Sequence, residues 1–170
     1  IASDEMEGRN TGSEGQKKAG RYMIDEYKKM NVSFPKGAKD YYQAVPASFL
    51  NAKRNLNLPD SENIWAYIEG SDKKDEIVVV SAHYDHVGGQ GKTFYVPGAQ
   101  DNASGCALVL DIADYYSKHK PKYSIAFMLF SGEEAGLLGS NFYVENPLFD
   151  LEKIKLLINL DLVGTGDQGF

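Results

Sequence analysis

A chain of 170 residues, 42% hydrophobic and 25% charged, has the balance of a globular domain and enough length to bury a core. Its net charge of -6 argues against nucleic acid or an anionic membrane surface as the main partner. The single cysteine, Cys106, excludes an internal disulfide, and its setting in "GCALVL" marks a buried structural thiol. No apolar run approaches the ~18 residues of a membrane span, and the start carries no signal-peptide pattern. The chain opens on Ile1 and is read as a processed or cut product.

The first element in chain order is "QKKAGRYMIDEYKKM", where Ala19, Tyr22, Met23, Ile24, Tyr27 and Met30 recur near the helical period. That spacing predicts an amphipathic helix of about four turns. "NIWAYIEGSDKKDEIVVVSAH" reads as two strands around a polar turn, an antiparallel hairpin. "EIVVVSA", "YSIAFMLF" and "IKLLINL" are unbroken apolar runs, the pattern of strands covered on both faces. Between the first two, "NASGCALVLDIADYYSKH" predicts a helix, and a further helix is expected through "AGLLGSNFYVEN". The alternation predicts an α/β fold over residues 1–170, a three-layer α/β/α sandwich whose mixed sheet is largely parallel with an antiparallel edge.

Polar residues punctuate the ends of these runs. His83 and Asp85 close the first, Glu133 and Glu134 follow the second, and Asp161 follows the third; Asp101 stands just before the long helix. In open α/β sheets ligands bind outside the carboxyl ends of the strands, so these groups are expected to converge. Each has a plain structural role available: Ser131 and Glu134 fit an S-x-x-E capping box, and Asp101 could cap a helix or a turn. Together, however, Asp101, Glu133, Glu134 and Asp161 would repel one another in a partly desolvated cleft. A divalent cation resolves that repulsion, and mixed His and carboxylate donors suit zinc. In H-x-D, alternate strand residues share a face, which lets Asp85 orient His83.

The motifs "SAHYDH", "PGAQDNASG", "FSGEEAGLLGS" and "INLDLVG", in that order, resemble the co-catalytic zinc aminopeptidases of metallopeptidase clan MH. "ASDEMEGRNTGSEGQKKAGRYM" is similar to the same family's N-terminal segment, so the likeness runs over nearly the whole chain. The resemblance implies that His83 and Asp161 bind one zinc, Glu134 a second, and that Asp101 bridges them. It makes Glu133 the general base, expects a cis peptide between Asp101 and Asn102, and implies a peptide substrate with a free amino terminus and a secreted or periplasmic location. "GGQGKTFYVPGAQ", with Phe94 and Tyr95, could line the pocket or serve as a surface connection.

One departure stands out. The family's fifth ligand is a histidine far downstream, whereas this chain ends nine residues after Asp161. His119 precedes a strand and is expected at the opposite edge; His86 is expected to be a loop or pocket residue. The sequence therefore reads as the N-terminal portion of a catalytic domain, holding at most one tightly bound zinc, with impaired activity and exposed core surface open to self-association. The rival readings are a glutaminyl cyclase-like enzyme and a non-catalytic peptidase-fold binding module. Retention of Glu133 beside four ligands speaks against the latter.

Overall fold

A computed structural model of the chain describes residues 1–52, 56–91 and 93–164. Lys92, within the glycine-rich connection, lies outside the described residues. The elements run α1 (Glu14–Lys29), β1 (Tyr42–Val45), the short α2 (Ala47–Leu50), β2 (Ser61–Ile68), β3 (Lys73–His83) and a ribbon of β4 (Gly89–Gln90) with β5 (Phe94–Tyr95). Then come α3 (Gly105–Lys118), β6 (Tyr123–Phe130), α4 (Leu138–Glu145) and β7 (Ile154–Asn159).

The main sheet has the order β1-β2-β6-β3-β7. β3 runs parallel to both β6 and β7, while β2 pairs antiparallel with β6 and β1 with β2. The largely parallel core with an antiparallel edge is as the sequence predicts. Along β6 the side chains divide between two cores. Ile125, Phe127 and Leu129 pack with Ala19, Met23 and Tyr27 of α1 and Cys106, Val109 and Ala113 of α3. Ala126 and Met128 pack with Trp65, Val79 and Tyr143 of α4 on the other side. A strand buried on both faces has no polar face to show, which is why its sequence does not alternate. The result is helix, sheet and helix in three layers.

Two local expectations are corrected. β2 and β3 do not form a hairpin, because β6 lies between them. The link between them is bound to the start of β6 instead. Gly70 N–H donates to Ser124 Oγ at 3.0 Å and Ser71 N–H to the Pro121 carbonyl at 2.9 Å. A strand as apolar as β6 gains most from a neighbour on each side, and local pairing of β2 with β3 would deny it one. The capping box does not form either. α4 begins only at Leu138, and the Ser131 hydroxyl is buried against Ser61 Oγ at 2.6 Å. At the sheet's edge Leu156, Leu157 and Ile158 of β7 are 52%, 54% and 41% exposed, which is the exposed core surface expected from the sequence.

Phe127 is fully buried between the sheet and α1. Phe127→Ala is expected to lower unfolding stability by about 3–5 kcal/mol in urea titrations, the usual cost of emptying an aromatic core position. A loss below about 1 kcal/mol would place Phe127 outside the cooperative core.

Candidate metal centre

The carboxyl ends of β3, β6 and β7 lie side by side, because β3 pairs with both others up to His83, Phe130 and Asn159. The Leu160 N–H donates to the Ser81 carbonyl at 2.8 Å, which carries β7 one residue further and delivers Asp161 beside His83. His83 Nδ1 sits 3.2 Å from the Asp85 carbonyl oxygen, so Nε2 faces the carboxylates. It lies 3.1 Å from Asp101 Oδ1 and 3.5 Å from Asp161 Oδ1. The His83 ring is 4% exposed, whereas Asp101 and Asp161 are 41% and 38% exposed at the mouth of the cleft.

Asp101 is placed by a wide, irregular turn, Ala99–Ser104, with a cis peptide between Asp101 and Asn102 as the resemblance implies. Asn102, fully buried, locks the turn to the other ligand loop. Its Nδ2 donates to the Leu160 carbonyl at 2.9 Å and its Oδ1 accepts from Gly105 N–H at 3.0 Å. Any side chain at Gly105 would collide with Asn102 Oδ1 and the Leu160 carbonyl, so only glycine lets α3 start this close. Under the turn, the Cys106 thiol donates to the His83 carbonyl at 3.1 Å. Cys106 is the buried structural thiol expected from its apolar neighbours.

Glu133 and Glu134 sit on a tight turn after β6, in which Gly136 and Leu137 N–H groups donate to the Glu133 carbonyl. Asp85, fully buried, reaches further than sequence reasoning allowed. Its Oδ1 is 3.7 Å from His83 Nδ1 and accepts from the Glu133 N–H at 3.2 Å. Its Oδ2 accepts from Thr11 Oγ1 at 2.8 Å. Asp85 thus serves both neighbours, its backbone carbonyl against His83 Nδ1 and its carboxylate under the Glu133 N–H.

His86 was expected to be a loop or pocket residue; its Nδ1 lies 2.6 Å from Glu134 Oε1. Arg9 was not singled out from the sequence at all. Its buried guanidinium donates to the carbonyls of Tyr84, Ile1, Pro97 and Gly98 at 2.8 to 2.9 Å. Arg9 thereby ties the loop after β3 to the loop before Asp101. No periodicity marks such a residue; the only signal in the sequence was its place in "EGRNTGS", within the family-like opening. Gly98, at φ 56°, comes so close that a Cβ there would touch both Arg9 and His86.

Burial works against a charge on His83, but Asp85, Asp161 and Glu133 outweigh it and raise the imidazole to about 9. Burial also raises Glu133, helped by Glu134, Asp85 and Asp161 and opposed by His83. The His83 shift reflects crowded negative charge that calls for a counter-ion, whereas burial leads the Glu133 shift and that crowding adds to it. A divalent cation can take over that role from the proton. Among the described residues, His83, Asp101 and Asp161 form one group able to hold a metal, and His86, Asp101 and Glu134 another. Asp101 belongs to both, as a bridging ligand must. A cavity of about 310 Å³ opens beside them, lined by His83, Glu133 and Asp161 with Phe130, Leu137 and Leu157. A larger groove of about 680 Å³ at Ser33–Lys36 and Lys153 carries none of these residues.

Residues 63–170 match peptidase family M28. The chain belongs to that family. A probable zinc metalloprotease of Pyrenophora tritici-repentis is 34% identical over 111 residues, 63% of this chain and 23% of that protein. Aminopeptidase YwaD of Bacillus subtilis is 39% identical over 94 residues, 55% of this chain and 19% of that protein. The chain therefore spans about a quarter or less of these relatives' lengths. Among solved structures, a Zn-dependent exopeptidase from Parabacteroides distasonis superposes with TM-score 0.71 at 22% identity, covering 95% of this chain and 58% of that one. A glutaminyl cyclase from Bacteroides thetaiotaomicron gives 0.73 at 19%, covering 96% and 59%. At these identities the two structures speak for the fold, which is the zinc-exopeptidase-like sandwich expected.

Arg9→Met would strip four carbonyls of their buried donor and is expected to cost at least about 3 kcal/mol in urea unfolding. Burial pushes the Cys106 thiol up to about 12. At pH 8 it stays protonated in the folded protein, so iodoacetamide should leave it unmodified until denaturant is added, as read by mass spectrometry.

Proposed function

We propose that this M28 chain contributes the metal centre of a zinc-dependent aminopeptidase. The observation that carries the reading is the spacing of His83 Nε2 from Asp101 Oδ1 and Asp161 Oδ1, 3.1 and 3.5 Å. Donors around a tetrahedral zinc, each 2.0–2.1 Å from it, stand about 3.3 Å apart. In this reading His83, Asp101 and Asp161 hold one zinc, and Asp101 with Glu134 holds the second. Bound zinc supplies Lewis-acid polarisation of the scissile carbonyl and brings the pKa of a water towards ~7.

The chain's own groups do the rest. Glu133, on the same turn as Glu134 and lining the cavity, takes the proton of the attacking water and passes it to the leaving amine. Its raised pKa suits both halves of that transfer. Asp85 acts through others, holding the His83 ring and the Glu133 backbone. The substrate's free amino terminus would be received at one of the metals or by carboxylates near them. The names of the relatives support peptide hydrolysis over cyclisation, since the curated proteins matched above are a metalloprotease and an aminopeptidase. A secreted or periplasmic location and self-association through exposed core surface belong to the same proposal. No helix among the described residues is long and apolar enough to cross a membrane.

Glu133→Gln in the full protein is expected to lower turnover of aminoacyl p-nitroanilides by about 10²–10⁴-fold while bound zinc, by elemental analysis, is unchanged. Turnover within threefold of wild type would remove Glu133 from its role. Release of pyroglutamyl product from an amino-terminal Gln peptide, without stepwise residue release, would favour the cyclase instead.

A further inference from the structure

The two metal-competent groups differ in one respect that their common description hides. In the first, donor atoms stand at zinc-ligand spacing. In the second, His86 Nδ1 and Glu134 Oε1 are 2.6 Å apart. That is the length of a strong hydrogen bond to a charged acceptor, and about 0.7 Å shorter than two ligands of one tetrahedral zinc allow. An ionised carboxylate can only accept, so Nδ1 carries the hydrogen.

The loop that carries the ring is also held where it is. The His86 N–H donates to the Arg9 carbonyl at 3.0 Å, and Gly98 packs within van der Waals reach of the imidazole edge. The His86 side chain is 8% exposed and that of Glu134 is 23% exposed. The backbone hydrogen bond fixes where the side chain leaves the loop, and Gly98 limits the ring along one edge, so the imidazole stands against Glu134.

We propose that His86 is a positioning residue for Glu134. Nδ1–H donates to Oε1, which leaves Oε2 for the ion that Glu134 shares with Asp101; the inference rests on the reading of Glu134 as a metal ligand. Partners of this kind fix the orientation of a ligating carboxylate, and their loss weakens metal binding by about 10–100-fold. The two centres then differ in build. The first is assembled from the ends of β3 and β7 with the turn at Asp101, whereas the second depends on a hydrogen bond between two loops.

The test is metal titration of the full protein after chelator stripping, followed with zinc by competition against a chromophoric chelator and with cobalt(II) by visible absorption. Wild type is expected to take up two ions. His86→Ala should leave the first affinity unchanged and weaken the second by about 10–100-fold. His86→Gln, whose amide can still donate, should recover most of that loss, and the cobalt bands of the filled second site should keep their positions in all three proteins. Should His86→Ala fail to fold, by near-ultraviolet circular dichroism, His86→Gln carries the test through its second-site affinity and cobalt bands. Shifted second-site bands together with no recovery in His86→Gln would make His86 a ligand and overturn the proposal. Unchanged second-site affinity in both variants would overturn it as well. Separately, a wild-type protein that binds only one ion, or a second affinity untouched by Glu134→Gln, would overturn the ligand reading of Glu134 itself.

Discussion

Crowded negative charge at the carboxyl ends of β3, β6 and β7 is the constraint around which the rest of this chain is arranged. Asp101, Glu133, Glu134 and Asp161 gather around His83 and His86, and Asp85 lies fully buried just behind. Such a cluster is tolerable only if each carboxylate is held apart from its neighbours and some positive charge is supplied. Asp85, Asp161 and Glu133 raise the His83 imidazole against the opposing effect of its burial. The same demand makes zinc chemistry the natural reading of a site whose donors are already spaced for it.

The holding is done largely from the N-terminal segment, far away in sequence. Arg9 binds four carbonyls across the two ligand loops, and Thr11 takes one oxygen of Asp85. Gln16 accepts from Ser61, and Ser61 meets Ser131 beside the Glu133 turn. A guanidinium surrounded by carbonyls keeps its charge without neutralising any one carboxylate. Burial lowers Arg9 while Asp85, Asp101 and Glu134 oppose that shift, so it shares the field of the site without touching its ligands. The opening residues are therefore part of the site's scaffold even though none of them points to chemistry.

The sheet supplies the geometry. β3 and β6 are buried on both faces, and their rigidity fixes where His83 and the Glu133 turn emerge. β7 sits at the edge with three large apolar side chains exposed, yet it still pairs with β3 as far as Asn159 and so places Asp161. Hydrogen bonding along one edge is enough to set the register of a ligand, while covering the strand is a separate matter of packing.

By itself the sequence determined the α/β class, the α1 and α3 helices, the parallel β3, β6 and β7 strands, and the ligand-type residues at their ends. Each of these is written in short-range terms: periodicity, unbroken apolar runs, and polar residues where the runs stop. Tertiary structure alone decided what depends on partners distant in sequence. It placed β6 between β2 and β3 and took Ser131 away from the expected cap and into the core. It also brought Arg9 to four carbonyls and His86 to Glu134. No local pattern encodes those contacts, because a buried guanidinium or a 2.6 Å hydrogen bond exists only once loops separated by dozens of residues are packed together.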